Sequence, residues 1–212
     1  MRIIYFIIVS FILLSFVACD DSGTVGSSNV DSSSDDTKVY ANVQEGSLFD
    51  ERDGQVYRTV KIGEQVWMAE NLNYATDGSE SCDKGVKFGT FYPYSVAKTV
   101  CPNGWALPSI TRWSKLITAV GGEANAGVAL KSIDGWKDSG NGMDVIGFSV
   151  LPVEYKYIPS YPAHYEFRME RSASFWALNE KVFFSYNRDD VYFSDNLSNA
   201  VYASVRCVKE NP

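Results

Sequence analysis

Two stretches decide how this chain folds: CPNGWALPSITRW, Cys101 to Trp113, and SVRCV, Ser204 to Val208. The first is a cysteine-bearing turn, rich in proline and glycine, that feeds a helix. Ser109 is placed to accept a hydrogen bond from the first turn, and Ile110, Trp113, Leu116, Ile117 and Val120 recur at helical spacing. Gly121-Gly122 then stops the run. The second stretch reads as the closing β-strand, within Tyr202 to Lys209. A disulfide between Cys101 and Cys207 would tie the helix start to that strand across much of the domain, leaving Cys82 as a free thiol.

Working outward, Gln55 to Ile62 alternates, with Val56, Arg58, Val60 and Ile62 on one face and Tyr57, Thr59 and Lys61 on the other. Gly63-Glu64 follows, and Gln65 to Met68 extends again, which predicts a β-hairpin. A shorter helix is expected over Ala124 to Lys131, and the glycine-rich Gly135 to Gly147 reads as a long loop. Strands are expected at Phe148 to Val153, Phe175 to Asn179, Lys181 to Tyr186, Asp190 to Ser194 and Tyr202 to Lys209. No internal repeat is visible. The folded part is expected over residues 47–212 as one domain with one core.

The chain starts with one positive charge at Arg2, an apolar run from Ile3 to Val9 that resumes at Phe11 to Leu14, and Ala18 before Cys19. This reads as a signal peptide over residues 1–18. Phe16-Val17-Ala18-Cys19 resembles a bacterial lipobox, with Phe16 where an aliphatic residue is commoner, and the resemblance implies lipidation at Cys19. Asp20 to Thr37 holds five Asp, six Ser and no aromatic residue, a composition that cannot offset ordering entropy by burial. Residues 19–46 are therefore expected to be a lipidated cysteine and a flexible tether, spanning roughly 25 to 30 Å.

The 212-residue chain carries a formal charge of −7, and removal of Arg2 with the signal leaves 18 basic against 26 acidic residues, or −8. No basic stripe exists to displace counterions from phosphate, so nucleic acid is not an expected partner.

With the motifs placed, DERDGQVYRTVKIGEQVWMAENLNY, FGTFYPYS, CPNGWALPS, LKS, GFSVLP, SFWA and SVRCV follow one another as in the Fibrobacter major paralogous domain. The resemblance covers about residues 50 to 209. It implies a secreted or lipid-anchored bacterial protein and carries no established activity. A wider resemblance, of CPNGWALPSITRWSKLITAVGG and SVRCV, is to formylglycine-generating-type proteins. It implies an α+β, C-type-lectin-like fold: antiparallel strands, one long and one short helix, paired terminal strands and a loop-rich surface. Two departures stand out. Arg112 occupies the third helix position, where those families carry an acidic capping-box partner. No second cysteine follows Cys82 in DKGVKFG.

The chemistries known on that fold lack their residues here. Ala173 to Tyr202 contains no cysteine, so the copper-binding pair of the oxidases is missing, and His164 is the chain's one histidine. His164 reads as a loop residue. Asn187, Asp189, Asp190, Asp195 and Asn196 could offer oxygen ligands to calcium but lack lectin-type spacing, and a solvated turn is the plainer reading. Tyr155, Tyr157, Tyr161, Tyr165 and Phe167 form an aromatic run interrupted by Pro159 and Pro162. Core packing accounts for such rings; held in a rigid surface loop, the four tyrosines would instead be contact residues for a sugar or a protein. Trp67, Trp105, Trp113, Trp136 and Trp176 read as mainly core.

These observations lead to a non-catalytic, lipid-anchored binding module of the cell envelope, on the outer membrane, whose partner besides the membrane is a glycan or an envelope protein. No catalytic residue, metal or cofactor is expected. A structural envelope component without a discrete ligand is the second reading, and a formylglycine-generating-type oxidase the third.

Overall fold

The computed structural model describes residues 44–82, 87–158, 162–195, 197 and 201–210. The signal peptide, Cys19 and nearly all of the expected tether lie outside the described residues. The first strand, β1 (Gln44–Asp50), begins three residues before the expected start of the folded part. It pairs antiparallel with β2 (Gln55–Ile62), which turns at Gly63 into β3 (Gln65–Met68) as the alternation predicts. Gly63 has a φ of 56°, a backbone that glycine adopts without a Cβ penalty. Both faces of β2 are partly covered, since Tyr57, Thr59, Val60 and Ile62 are all buried while Val56 is 64% exposed. Two-residue strands β6 (Trp105–Ala106) and β13 (Val208–Lys209) complete the first sheet, in the order β1-β2-β3-β13-β6.

The second sheet contains β4 (Glu80–Ser81), β5 (Thr90–Pro93), β9 (Ser172–Ala177), β10 (Glu180–Ser185), β11 (Tyr192–Ser194) and β12 (Tyr202–Ser204). Its order is β11-β10-β9-β12-β5-β4, antiparallel except where β12 runs parallel to β9. A separate hairpin pairs β7 (Val153–Ile158) with β8 (His164–Met169). With helices α1 (Tyr94–Ala97), α2 (Ile110–Ala119) and α3 (Glu123–Leu130) among the described residues, the protein is α+β.

Three expectations are corrected here. The terminal strands do not pair with each other: β1 sits at the sheet edge, and β13 lies between β3 and β6. Phe148 to Pro152 is not a strand, because Ser149 has a φ of 48°, which breaks extended backbone; Val150 makes an isolated bridge to Lys131, and Val153 already begins β7. Tyr202 to Lys209 is two strands in two sheets, with Val205 to Cys207 crossing between them.

That crossing is buried throughout, and its backbone groups find partners on the way. Leu72 N–H donates to the Val205 carbonyl at 2.9 Å, and Met68 N–H to the Cys207 carbonyl at 3.0 Å. Buried main-chain groups left unpaired would each cost on the order of 1–3 kcal/mol.

Ser109 caps α2, its hydroxyl accepting from Arg112 N–H at 3.3 Å. The missing capping-box acid has a structural counterpart. The Arg112 side chain donates to the Lys209 carbonyl at 3.3 Å and so fastens the helix start to the closing strand. Trp113, Leu116 and Ile117 face inward, and Trp113 packs 4.9 Å from Trp67 and 5.8 Å from Phe175 between ring centroids. Its indole N–H is buried without an acceptor among the described residues, a cost set against this aromatic packing. Gly127 of α3 lies against the backbone of Asp189, where an added Cβ would come within 2.5 Å of the carbonyl oxygen. Gly127 N–H donates to that same oxygen at 2.7 Å. Four of the five tryptophans are core residues, and Trp105 is half-buried.

Cys101 and Cys207 form the expected disulfide, with Cα atoms 5.9 Å apart. The expectation of a free thiol at Cys82 is corrected: it is 3% exposed and disulfide-bonded, and no described cysteine is free. A second tie lies beside the first. Asp50, fully buried, accepts from Arg52 Nε at 2.8 Å and Nη2 at 2.6 Å, while Arg52 Nη1 donates to the Val100 carbonyl at 2.8 Å. The guanidinium also lies 3.9 Å from the Tyr74 ring centroid.

Two outcomes are expected. Opening the disulfide, whose cysteines are 106 residues apart, by a Cys101→Ala/Cys207→Ala pair should lower unfolding free energy by about 5 kcal/mol in the chain-entropy account, measured by denaturant titration. The hydrogen bonds from Arg52 hold the Asp50 carboxyl below the usual carboxylate range. A depressed pKa contributes stability above the unfolded value, about 4, that is lost as pH falls through the folded one. Asp50→Asn should therefore cost about 1 to 2 kcal/mol at pH 7, and its melting temperature should converge on that of the native protein as the pH drops below about 4.

Candidate functional site

The aromatic run does not form a loop. Tyr155 and Tyr157 lie on β7, and Tyr165 and Phe167 on β8, with Tyr155 opposite Phe167 and Tyr157 opposite Tyr165 in register. Pro162 precedes β8 and does not interrupt it, and Pro159 lies outside the described residues. Tyr161 lies outside the described residues.

The inner rungs of this hairpin are an anchor. Tyr155 packs 4.5 Å from Phe167 and 5.2 Å from Tyr202, and Phe167 packs 5.5 Å from the buried Phe91 of β5. Burial pushes the Tyr155 phenol up to about 12. The outer rungs are open: Tyr157 is 42% and Tyr165 37% exposed. Tyr165 stacks on Tyr155 at 5.2 Å with an 18° interplanar angle and meets Tyr157 at 5.2 Å. Two adjacent, partly exposed rings thus sit at the outer end of the hairpin, Tyr165 packed on Tyr155 and Tyr157 packed on Tyr165. His164 begins β8, exposed, with Nε2 3.7 Å from Glu166, whose nearer partner is Arg168 at 2.6 Å.

The acidic stretch after β10 is occupied by local contacts. Asp190 pairs with Arg188 at 2.6 Å, and Asn187 accepts from the Ser185 hydroxyl at 2.7 Å. Among the described residues no cluster of three or more His, Cys, Asp or Glu could hold a metal ion. Asn196 lies outside the described residues.

A groove of about 450 Å³ was not anticipated from sequence, and its size falls within the range of small-ligand sites. Its floor is Arg206, 1% exposed, in the crossing between the two sheets. Arg206 Nε donates to Asn71 Oδ1 at 2.9 Å, Nη1 to the Phe148 carbonyl, and Nη2 to the Ser149 carbonyl at 2.9 Å. The guanidinium also lies 4.4 Å from the Phe148 ring centroid. Among the described residues no carboxylate hydrogen-bonds to it. Asp144, the acid whose charge acts on it most, has its oxygens taken by the N–H and hydroxyl of Ser149. Burial pushes the Arg206 guanidinium down to about 9, which leaves it charged at neutral pH.

The groove walls are polar and largely self-satisfied. Arg58 faces Glu70 at 3.4 Å, and the Asn73 amide donates to Gln55 Oε1 at 2.9 Å. Its lips are aliphatic: Val56 is 64% and Ile133 69% exposed, both lining the groove. The sequence did carry a signal for this floor. Arg206 is the one charge within the apolar run VYASVRCV, flanked by two residues that are fully buried.

No curated protein and no solved structure matches the chain. A family model, the Fibrobacter succinogenes major domain, matches residues 60–209, from within β2 to the end of β13. That span takes in α2, the disulfide, the hairpin and Arg206. The chain belongs to the Fibrobacter succinogenes major domain family.

Proposed function

We propose that this protein is a non-catalytic binding module of the cell envelope, lipid-anchored on the outer membrane through Cys19, and that its ligand is a glycan or a protein. The observation that carries the binding reading is the pair of exposed rings, Tyr157 and Tyr165, with Tyr165 stacked on the half-buried Tyr155 and meeting Tyr157. Tyrosine offers a flat apolar face and a polar tip with little side-chain entropy to lose, which suits both a sugar ring and a protein contact. The C-type-lectin-like form of the α+β fold belongs to the same reading. It draws support from a capped helix joined by a disulfide to a closing segment that passes between two sheets. The anchor reading rests on Phe16-Val17-Ala18-Cys19 and the acidic, serine-rich stretch that follows. Diacyl and amide-linked chains contribute roughly 0.8 kcal/mol per buried methylene, enough for durable attachment.

A panel of polysaccharides and envelope extracts probed with the full chain tests the binding reading. Tyr157→Ala and Tyr165→Ala should each weaken capture by about 1 to 2 kcal/mol, or five- to thirtyfold, with an unchanged melting temperature. Tyr155→Ala, by contrast, should cost about 3 kcal/mol of stability. Unchanged capture by both outer-ring variants would remove the hairpin as the contact surface, and no capture at all would favour a structural role without a discrete ligand.

For the anchor, mass spectrometry of the mature protein should find a diacylglyceryl thioether at Cys19, and Cys19→Ala should release the protein from membranes. A lipidated Cys19 has no sulfur left for a disulfide, so the lipid and any Cys19 disulfide exclude each other. A peptide map without reduction reads both.

A further inference from the structure

We infer that Asn103-Gly104, in the turn between Cys101 and β6, is a self-modification site, where the asparagine side chain closes on the next backbone nitrogen and reopens as an aspartyl or isoaspartyl linkage. The substrate is the chain itself and the co-reactant is water. The Gly104 nitrogen, on losing its proton to solvent, forms a bond to Asn103 Cγ; the Cγ–Nδ2 bond breaks and ammonia leaves. Water then opens the imide ring at either carbonyl, and nothing is oxidised or reduced. The reaction needs an asparagine followed by a residue without a Cβ, a backbone nitrogen that no hydrogen bond holds, and a side chain free to swing. It rests on neither the binding reading nor the anchor reading.

The chain contains two Asn-Gly pairs, and the fold treats them oppositely. Asn103 and Gly104 are both exposed. Trp105 N–H donates to the Pro102 carbonyl at 3.0 Å and Gly104 has a φ of 78°, so the pair fills the centre of a turn. A Cβ added at Gly104 would meet nothing within 4 Å. Among the described residues neither the Asn103 side chain nor the Gly104 N–H makes a hydrogen bond. At Asn141-Gly142 both reacting groups are held. Asn141 Oδ1 accepts from Trp136 N–H at 2.9 Å, and Gly142 N–H donates to the Ser132 carbonyl at 2.8 Å. A Cβ added at Gly142 would collide with the Lys131 carbonyl, so the backbone there is tightly packed. Reaction at this second pair has to wait for local opening.

The place of the first pair gives the change a consequence. The Gly104 carbonyl accepts from Glu210 N–H at 2.9 Å, and Trp105 lies opposite Lys209 where β6 pairs with β13. An isoaspartyl linkage routes the main chain through the side-chain carbon and lengthens it inside the turn. That draws Trp105 N–H away from the Pro102 carbonyl and frees Glu210 N–H, while the disulfide from Cys101 keeps the segment attached to Cys207.

The test is to age the full chain at mildly alkaline pH and follow it by peptide mapping with mass spectrometry. In the native protein the Asn103 peptide should gain the mass of an amide-to-acid conversion about tenfold faster than the Asn141 peptide, whose reaction is limited by opening. In the reduced chain held in guanidinium the two peptides should convert at comparable rates, because the difference lies in the fold. Asn103→Ser, at an exposed position, should leave the melting temperature unchanged. After ageing, the native chain should show faster amide hydrogen exchange at Trp105 and Glu210 than the aged Asn103→Ser variant. Equal rates at the two peptides in the native protein, a rate difference that persists in guanidinium, or identical exchange at Trp105 and Glu210 in the aged native chain and the aged variant would each overturn the proposal.

Discussion

A charged side chain is carried through the centre of this protein, and the arrangement around it follows from the need to satisfy it. The chain passes from one sheet to the other at Val205 to Cys207, and at the midpoint stands Arg206, cut off from solvent. An uncompensated guanidinium there would be severely destabilising, so two segments distant in sequence converge on it. Asn71 comes from the stretch after β3, and the carbonyls of Phe148 and Ser149 come from the irregular segment before β7. The positive φ at Ser149 bends that segment out of extended geometry, while Asp144 fixes the bend by gripping the Ser149 N–H and hydroxyl. What looks like a missing strand at Phe148 is therefore a backbone shaped to present oxygens to a buried cation.

Much of this architecture was legible in the sequence where a pattern had a single physical outcome. The 3.6-residue spacing from Ile110 to Val120, Ser109 before it and two glycines after it left little but a capped helix. The period-two run Gln55 to Ile62 before Gly63 likewise produced the hairpin. The Cys101–Cys207 disulfide followed from the elements in which the two residues sit. Legibility ended where tertiary contacts set the outcome. Tyr202 to Lys209 reads as one strand because every residue in it tolerates extended backbone, and only the competing pairings with β5, β9, β3 and β6 divide it. Prolines 159 and 162 suggest a loop, but both lie outside the strands, and the pairing of β7 with β8 makes strands of both flanks.

The two surfaces differed in visibility for a related reason. Tyrosines clustered in sequence announce themselves, although their split into anchoring and open rings depends on how Phe91 and Tyr202 pack beneath them. The groove gathers residues from β2, the segment after β3, the turn near Ile133 and the crossing, so no local window contains it. Arg206 inside an apolar run was the trace it left. A charge in such a position needs partners that the fold must bring to it, and here Asn71, Phe148 and Ser149 supply them.

The Cys101–Cys207 bond has one more consequence, for the chain as a covalent object. The two cysteines enclose 106 positions of sequence separation, and that interval contains α2, α3, the whole hairpin and most of the second sheet. A single proteolytic nick anywhere inside the interval cannot release a fragment, because the two pieces stay joined through sulfur. In an oxidising surrounding, a clipped molecule would keep both of its pieces together until a reductant arrived. Clipping and shedding are thereby separate events: a nick within the ring leaves the domain whole, and only a cut on the N-terminal side of Cys101 can part it from whatever precedes it.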